Sequence, residues 1–256
     1  LKIFKIYSIS LALLSYSCSD SDKNTTHILV KHKVYIIEDS VPGNSPKKID
    51  KDTSYLEYIF KNHGLTDIQT LDSSIKVDLQ YAGISNFLKK DFYDGLRKAY
   101  FPCEMAIKIC NAQYYLKQVN TNYSLLILDA SRPLHIQQMM WDSLEMPPEK
   151  KYNYLSPPSS ISLHNYGCAI DATIIDLLTG KKLDMGSAYD HFGKLSEPAC
   201  EWQFIKSGEL SREAFENRKL LRKIMQMAKL NPITSEWWHF NYCTKEFAAV
   251  NFKLIK

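Results

Sequence analysis

The sequence predicts an α+β fold, a single domain with helices packed on one mostly antiparallel sheet. Three observations predict it. Apolar runs of strand length occur at 124–128 and 167–176. Segments with a 3.6-residue apolar period lie between and after them, and the two kinds do not alternate in the regular order that builds a parallel sheet. At 256 residues, the chain is long enough to bury one substantial core. Its 45% hydrophobic and 23% charged residues, with no low-complexity tract, exclude a disordered protein beyond the ends. The sequence shows no internal repeat.

The first residues depart from this pattern. Lys2 and Lys5 precede an apolar run at 6–17, then Cys18 and the polar stretch 19–26, the layout of an export signal. The run is too short for a bilayer core, which needs about twenty residues, so residues 1–17 are expected to be a cleaved signal. Leu14-Ser15-Tyr16-Ser17-Cys18 resembles a bacterial lipobox, which would make Cys18 a lipid anchor and the only membrane attachment. The protein is then expected to be exported, as a periplasmic or outer-membrane-anchored lipoprotein. Residues 18–52 read as a tether broken by the turn-rich Pro42-Gly43-Asn44-Ser45-Pro46. Within it the apolar run 34–37 has no assigned role, and the domain is expected over 53–256.

The formal charge of +4 drops to about +2 when Lys2 and Lys5 leave with the signal. Basic residues are spread among acidic ones and do not interleave with aromatics, which argues against nucleic acid as a partner. Five cysteines remain after Cys18: Cys103, Cys110, Cys168, Cys200 and Cys243. They are odd in number and form no CxxC pair, so they read as packing residues, and disulfide pairing stays open. Oligomeric state also stays open.

Taken in order, Val77-Asp78-Leu79-Gln80-Tyr81 alternates as a half-buried strand does, and 91–119 reads as helix with Met105, Ile109, Ala112, Leu116 and Val119 on its apolar stripe. Residues 124–128 form a strand ending in Asp129-Ala130-Ser131-Arg132-Pro133. A helix follows from Leu134, with Pro133 at its start and Ile136, Met139, Met140 and Leu144 buried. Residues 147–160 are a loop rich in proline and serine. A second strand covers 167–176, a helix capped by Ser211 covers 211–230 with Phe215, Leu220, Leu221, Ile224 and Met225 apolar, and a last strand covers 236–242.

Two segments carry chemistry: Ser162-Leu163-His164-Asn165-Tyr166-Gly167-Cys168-Ala169-Ile170-Asp171, and Glu236-Trp237-Trp238-His239. A catalytic zinc takes three protein ligands from nitrogen or oxygen donors, keeps a position for water, and needs a nearby carboxylate as base. Two imidazoles and two carboxylates meet that need. An aspartate in so apolar a strand as 167–176 requires a strong partner, which a metal supplies. His164 must come from the loop before that strand, where Gly167 permits a sharp entry. Glu236 and His239 would point to opposite sides of a straight strand, so Glu236 is expected at a bend just before it. His27, His32, His63, His135 and His191 read as ordinary hydrogen-bonded residues, and Trp237 and Trp238 as packing.

The pattern S-x-H-x-x-G-x-A-x-D, followed downstream by E-x-x-H, resembles the zinc peptidases that cut peptidoglycan peptides. The finer match is to the VanX-like D-alanyl-D-alanine dipeptidases. Agreement extends through Val77 to Ala82, Asp129 to Pro133, Leu183-Asp184-Met185-Gly186-Ser187-Ala188-Tyr189-Asp190 and Asn217-Arg218-Lys219-Leu220-Leu221-Arg222, and covers about Asp72 to Tyr242. The resemblance implies one zinc ion per chain in a cleft on the sheet, held by His164, Asp171 and His239. It further implies Glu236 as general base, Arg132 as stabiliser of the oxyanion, Asp190 as receptor of the substrate ammonium and Ser162 at the substrate's far end. Asp190 is also read as a turn-forming aspartate near Gly186, and Asp129 as a residue orienting its neighbours. The partner implied is a small dipeptide. Ser187-Ala188-Tyr189 and Cys168 depart from the family pattern, and Cys168 leaves open oxidation or a bridge to Cys243.

Two rival readings stay open: a D,D-carboxypeptidase trimming longer peptidoglycan stem peptides, and a non-catalytic, zinc-stabilised wall-binding lipoprotein. Asp190 separates the first from a dipeptidase, and the presence of Glu236 and Arg132 argues against the second.

Overall fold

The computed structural model describes residues 25–30, 33–38, 54–152 and 154–256. The expected signal 1–17, Cys18 and much of the stretch 18–52 lie outside them. The chain divides into two units, 1–45 and 46–256. In the first, Thr25–Val30 (β1) and Lys33–Glu38 (β2) pair as an antiparallel hairpin, which absorbs the apolar run 34–37.

The second unit begins with the helix Tyr55–Asn62 (α1), capped by Ser54, whose side chain accepts from the Glu57 N–H. Thr66–Asp67 (β3) and the single turn Ile68–Leu71 (α2) follow. Lys76–Val77 (β4) then joins the main sheet. The expected strand to Tyr81 ends early as a ladder, although the N–H groups of Asp78 and Gln80 still reach the carbonyls of Ile127 and Leu128. Its alternation persists, with Leu79 and Tyr81 buried and Asp78 exposed.

The helix expected over 91–119 is shorter. Asp91 accepts from the N–H groups of Tyr93 and Gly95, Gly95 takes a φ of 67°, and Tyr100–Phe101 (β5) pairs with β3. These side-chain bonds give the backbone an alternative to helix, and the helix Cys103–Val119 (α3) starts only after Pro102. Of its expected stripe, Met105, Ile109, Ala112 and Leu116 are buried, whereas Val119 is exposed.

Tyr123–Asp129 (β6) is buried along nearly its whole length, as a central strand covered on both faces must be. The helix Leu134–Asp142 (α4) opens after Pro133, with Met139 exposed rather than buried. The 147–160 loop contains the short turn Pro148–Lys151 (α5). Ala169–Asp176 (β7) is the second central strand, and Lys181–Lys182 (β8) pairs with its end. Glu201–Ser207 (α6) leads to Arg212–Met227 (α7), where Ser211 caps as expected by accepting from the Ala214 N–H. Asn231–Pro232 (β9), His239–Asn241 (β10) and Lys245–Asn251 (α8) complete the chain.

The main sheet runs β4-β6-β7-β10-β9, with β8 beside β7. It is mixed rather than the mostly antiparallel sheet expected: β4 lies parallel to β6, while β7 is antiparallel to β6 and β10. The reason is the route between β4 and β6, which crosses through α3, and a crossover returns the chain in the same direction. Helix α3 packs on β6 and against α7. Among the described residues no helix is long and apolar enough to cross a membrane, and no disulfide forms. Cys110 and Cys168 are buried as expected, but Cys103, Cys200 and Cys243 are only half-buried.

One buried ion network fixes the approach of a long loop to α7. Arg218 is fully buried and donates to the carbonyls of Met185 (2.6 Å) and Leu195 (3.0 Å) and to Ser187 Oγ (3.2 Å). Glu201 supplies its countercharge and also holds Arg222 through two 2.7 Å bonds. Gly186, at φ 76°, lies against Leu210 and Ala214 where a Cβ would not fit. Replacing Arg218 with Met strands these buried acceptors, and Arg218→Met is expected to destabilise by roughly 3 kcal/mol. Lys219→Ala, which removes an exposed pair with Glu216, is expected to change stability by about 0.5 kcal/mol or less. Denaturant unfolding of both variants checks the contrast.

Candidate metal centre

His164, Asp171 and His239 come together with their ligand atoms all within 4.8 Å of one another. Three local structures put them there. His164 lies in the 3-10 turn Leu163–Tyr166, capped by Ser162, whose Oγ accepts from the His164 N–H, and by Asn165, whose amide oxygen accepts from the Ser162 N–H. Gly167 ends that turn at φ 69°. A Cβ there would sit 2.7 Å from Ser131 Oγ and 2.8 Å from Pro102 Cδ, so both conformation and space demand glycine. Asp171 and His239 are direct register partners across β7 and β10.

Each imidazole is oriented from its far side. His164 Nδ1 lies 2.7 Å from the Ala130 carbonyl, which can only accept, so Nδ1 donates and Nε2 turns its lone pair inward. His239 Nε2 lies 2.7 Å from Asn241 Oδ1, which leaves Nδ1 facing inward. The inward atoms are 3.3 Å apart, and Asp171 Oδ1 is 3.5 Å from one and 2.9 Å from the other. Tyr189 donates to the other Asp171 oxygen at 2.8 Å. Ring N–H groups tied outward, with lone pairs and one carboxylate oxygen converging, form the donor set of a three-ligand metal site. The residues present fit such an ion.

Electrostatics distinguish the acids. Burial raises the Asp171 pKa, but the charges and hydrogen bonds of His164 and His239 outweigh it and hold Asp171 below the usual carboxylate range. Burial would lower His239, yet Asp171 lifts it to about 9. Glu236 lies outside β10, at a bend, with Oε2 3.9 Å from His239 Nδ1. Packed protein and the charge of Asp171 raise its pKa, although 40% of its side chain still reaches solvent.

Arg132 is buried between the carboxylate of Asp129, which it contacts through Nη2, and Gln137 Oε1 at 2.7 Å. It packs over the Tyr81 ring. Burial would lower its pKa, but Asp129 outweighs that, and its Nε is buried without a hydrogen-bond partner among the described residues. Asp129 also accepts from Tyr93 at 2.6 Å and lies 3.7 Å from His164 Nδ1. It orients neighbours and faces away from the ligand atoms' side of His164. Asp190 takes a φ of 57° and accepts from Tyr81 OH at 2.9 Å. Burial and the charge of Asp171 push its pKa well above the usual range.

These residues line one cleft of about 400 Å³ that includes Ser162, Arg132, Asp190 and Glu236 with the three ligands. A larger cavity, about 730 Å³, lies beyond Tyr189 and Asp190 but contains none of the ligands. Trp237 and Trp238 are buried, and the indole N–H of Trp237 donates to Ser187. The sequence assigned no role to Tyr81, Tyr93, Tyr189, Gln137 or Asn241. Only Asn241 carried a usable signal, since it follows His239 by two positions and so shares its strand face.

Residues 61–255 match the family model described as D-ala-D-ala dipeptidase, Peptidase_M15. The chain is 30% identical over 179 residues to a D-alanyl-D-alanine dipeptidase of Escherichia coli, covering 69% of this chain and 83% of that protein. It is 28% identical over 192 residues to one of Enterococcus faecium, covering 69% and 90%. It is likewise 28% identical over 166 residues to one of Synechocystis, covering 52% and 65%. With a converging His, Asp and His set and a family match over most of its length, the chain belongs to the M15 D-Ala-D-Ala dipeptidase family of metallopeptidases.

Proposed function

We propose that the protein hydrolyses the free dipeptide D-alanyl-D-alanine to two D-alanines, using one zinc ion per chain held by His164, Asp171 and His239. A zinc ion held there would supply Lewis acidity, polarising the scissile carbonyl and acidifying a water molecule. Glu236 accepts a proton from the attacking water and returns it to the leaving amine. Its raised pKa suits both directions of transfer. Arg132 brings a permanently charged guanidinium to the cleft, as stabilisation of a developing oxyanion requires.

The observation that carries the dipeptide reading is Asp190. It is a carboxylate in the cleft with a phenol donor but no cation within ion-pair distance among the described residues. A carboxyl group so placed ionises most readily against a cationic ligand, and a free dipeptide offers its ammonium at that end. A stem peptide offers a neutral amide there instead, which disfavours the carboxypeptidase alternative. Ser162 is assigned to the far end of the substrate. The N-terminal sequence supports export and anchoring through Cys18, with the wall as the source of the dipeptide.

Release of D-alanine from D-alanyl-D-alanine and from a pentapeptide stem tests the reading. The dipeptide is expected to be the good substrate, Asp190→Asn is expected to lose most of that preference, and equal turnover of both by the wild type would overturn it. Glu236→Gln is expected to retain zinc and lose activity by about 10²-fold or more, with full activity ruling out the assigned base. Asn241→Ala removes the acceptor that orients His239, and zinc affinity is expected to fall about 10- to 100-fold, measured by competition with a chromogenic chelator.

A further inference from the structure

A free dipeptide is a zwitterion, and beside the neutral Ser162 hydroxyl its carboxylate end calls for a cation. Arg132 is the cation nearest the acids, but its Nη atoms are committed to Asp129 and Gln137. Among the described residues one other lysine or arginine lines the same cleft: Lys245, the first residue of α8. Its Nζ lies 3.2 Å from the Ser160 carbonyl and 3.5 Å from Ser160 Oγ. Both are neutral acceptors, and it makes no ion pair among the described residues. Lys245 is exposed, so its ammonium can exchange these contacts for a ligand oxygen at little cost in packing.

Lys245 and Asp190 are linked to the ligands through different residues. Asp190 hangs from Tyr81 and adjoins Tyr189, which donates to Asp171. Lys245 rests on Ser160, two residues before Ser162, which caps the turn of His164. Along this bonded path the metal ligands lie between the anionic and the cationic group. A substrate whose scissile bond sits at the ligands would extend its ammonium toward one and its carboxylate toward the other.

We infer that Lys245 binds the C-terminal carboxylate of the substrate and that Ser162 assists it, which makes Lys245 the residue that selects a free carboxylate over a neutral terminus. This inference rests on the dipeptidase reading above. Opposite charges placed to match a ligand's own charges favour the right substrate and reject those lacking one of them.

The test compares kcat and KM for D-alanyl-D-alanine and for its C-terminal amide, using zinc-loaded full-length wild type, Lys245→Met and Lys245→Arg. Wild type is expected to favour the free acid. In Lys245→Met the KM for the acid is expected to rise about tenfold with kcat less affected, the preference over the amide is expected to shrink in proportion, and Lys245→Arg is expected to recover most of it. If Lys245→Met keeps the wild-type preference, or lowers both substrates equally, the role of Lys245 is overturned while the dipeptidase reading stands. Wild type that cleaves neither compound overturns both.

Discussion

Two carboxylates, Asp129 and Asp171, are register partners across the buried centre of the main sheet. Like charges placed so are costly, and the surrounding structure is arranged to answer that cost. The β6–β7 register shifts between Ile127 and Asp129, a bulge of the kind that re-aims side chains beside active sites. Asp129 is then satisfied by Arg132 and Tyr93, and Asp171 by His239, His164 and Tyr189. His164 stands between them, 3.7 Å from one carboxylate and 3.5 Å from the other. A metal cation on the Asp171 side would complete the charge balance that these partners begin.

The loops are held as firmly as the strands. The Arg132 N–H donates to the His164 carbonyl, and Asn165 returns a bond to the Arg132 carbonyl, so the ligand turn and the arginine segment are laced together. Arg218 does the same for the loop bearing Tyr189 and Asp190, through three acceptors on residues 185–195. A buried arginine with its carboxylate partner is a costly device for stability alone. Here it fixes the loop that supplies a hydrogen bond to a metal ligand.

The convergence of His164, Asp171 and His239 was legible because chemistry restricts it: few residue types bind metal ions, and an aspartate inside an apolar strand needs a reason. The position of Glu236 at a bend followed from strand parity. The tyrosines were illegible because a phenol reaching across the fold leaves no spacing in the chain; Tyr81 meets Asp190 over 109 positions. The helix expected from residue 91 failed where Asp91 captured local N–H groups, an interaction that apolar periodicity does not register. The parallel β4–β6 pair was missed because strand direction depends on the crossover through α3, not on the strands' own residues. The family itself was legible because several ordered motifs recur together, whereas Lys245 stands outside every motif, and only the fold brings it against Ser160 in the cleft that Ser162 also lines.

The same constraint explains why the proposed ligand and the proposed base are different carboxylates. Asp171 sits in the ladder opposite His239, where two imidazoles hold it below the ordinary range and keep it anionic. Glu236 sits outside the ladder, where protein crowding and the charge of Asp171 push its pKa up while the side chain still meets solvent. A ligand must stay charged, and a base must release what it accepts. Two acids whose environments drive them in opposite directions divide those tasks. The break before β10 achieves this, since regular strand continued back from His239 to Glu236 would turn the glutamate to the face away from His239.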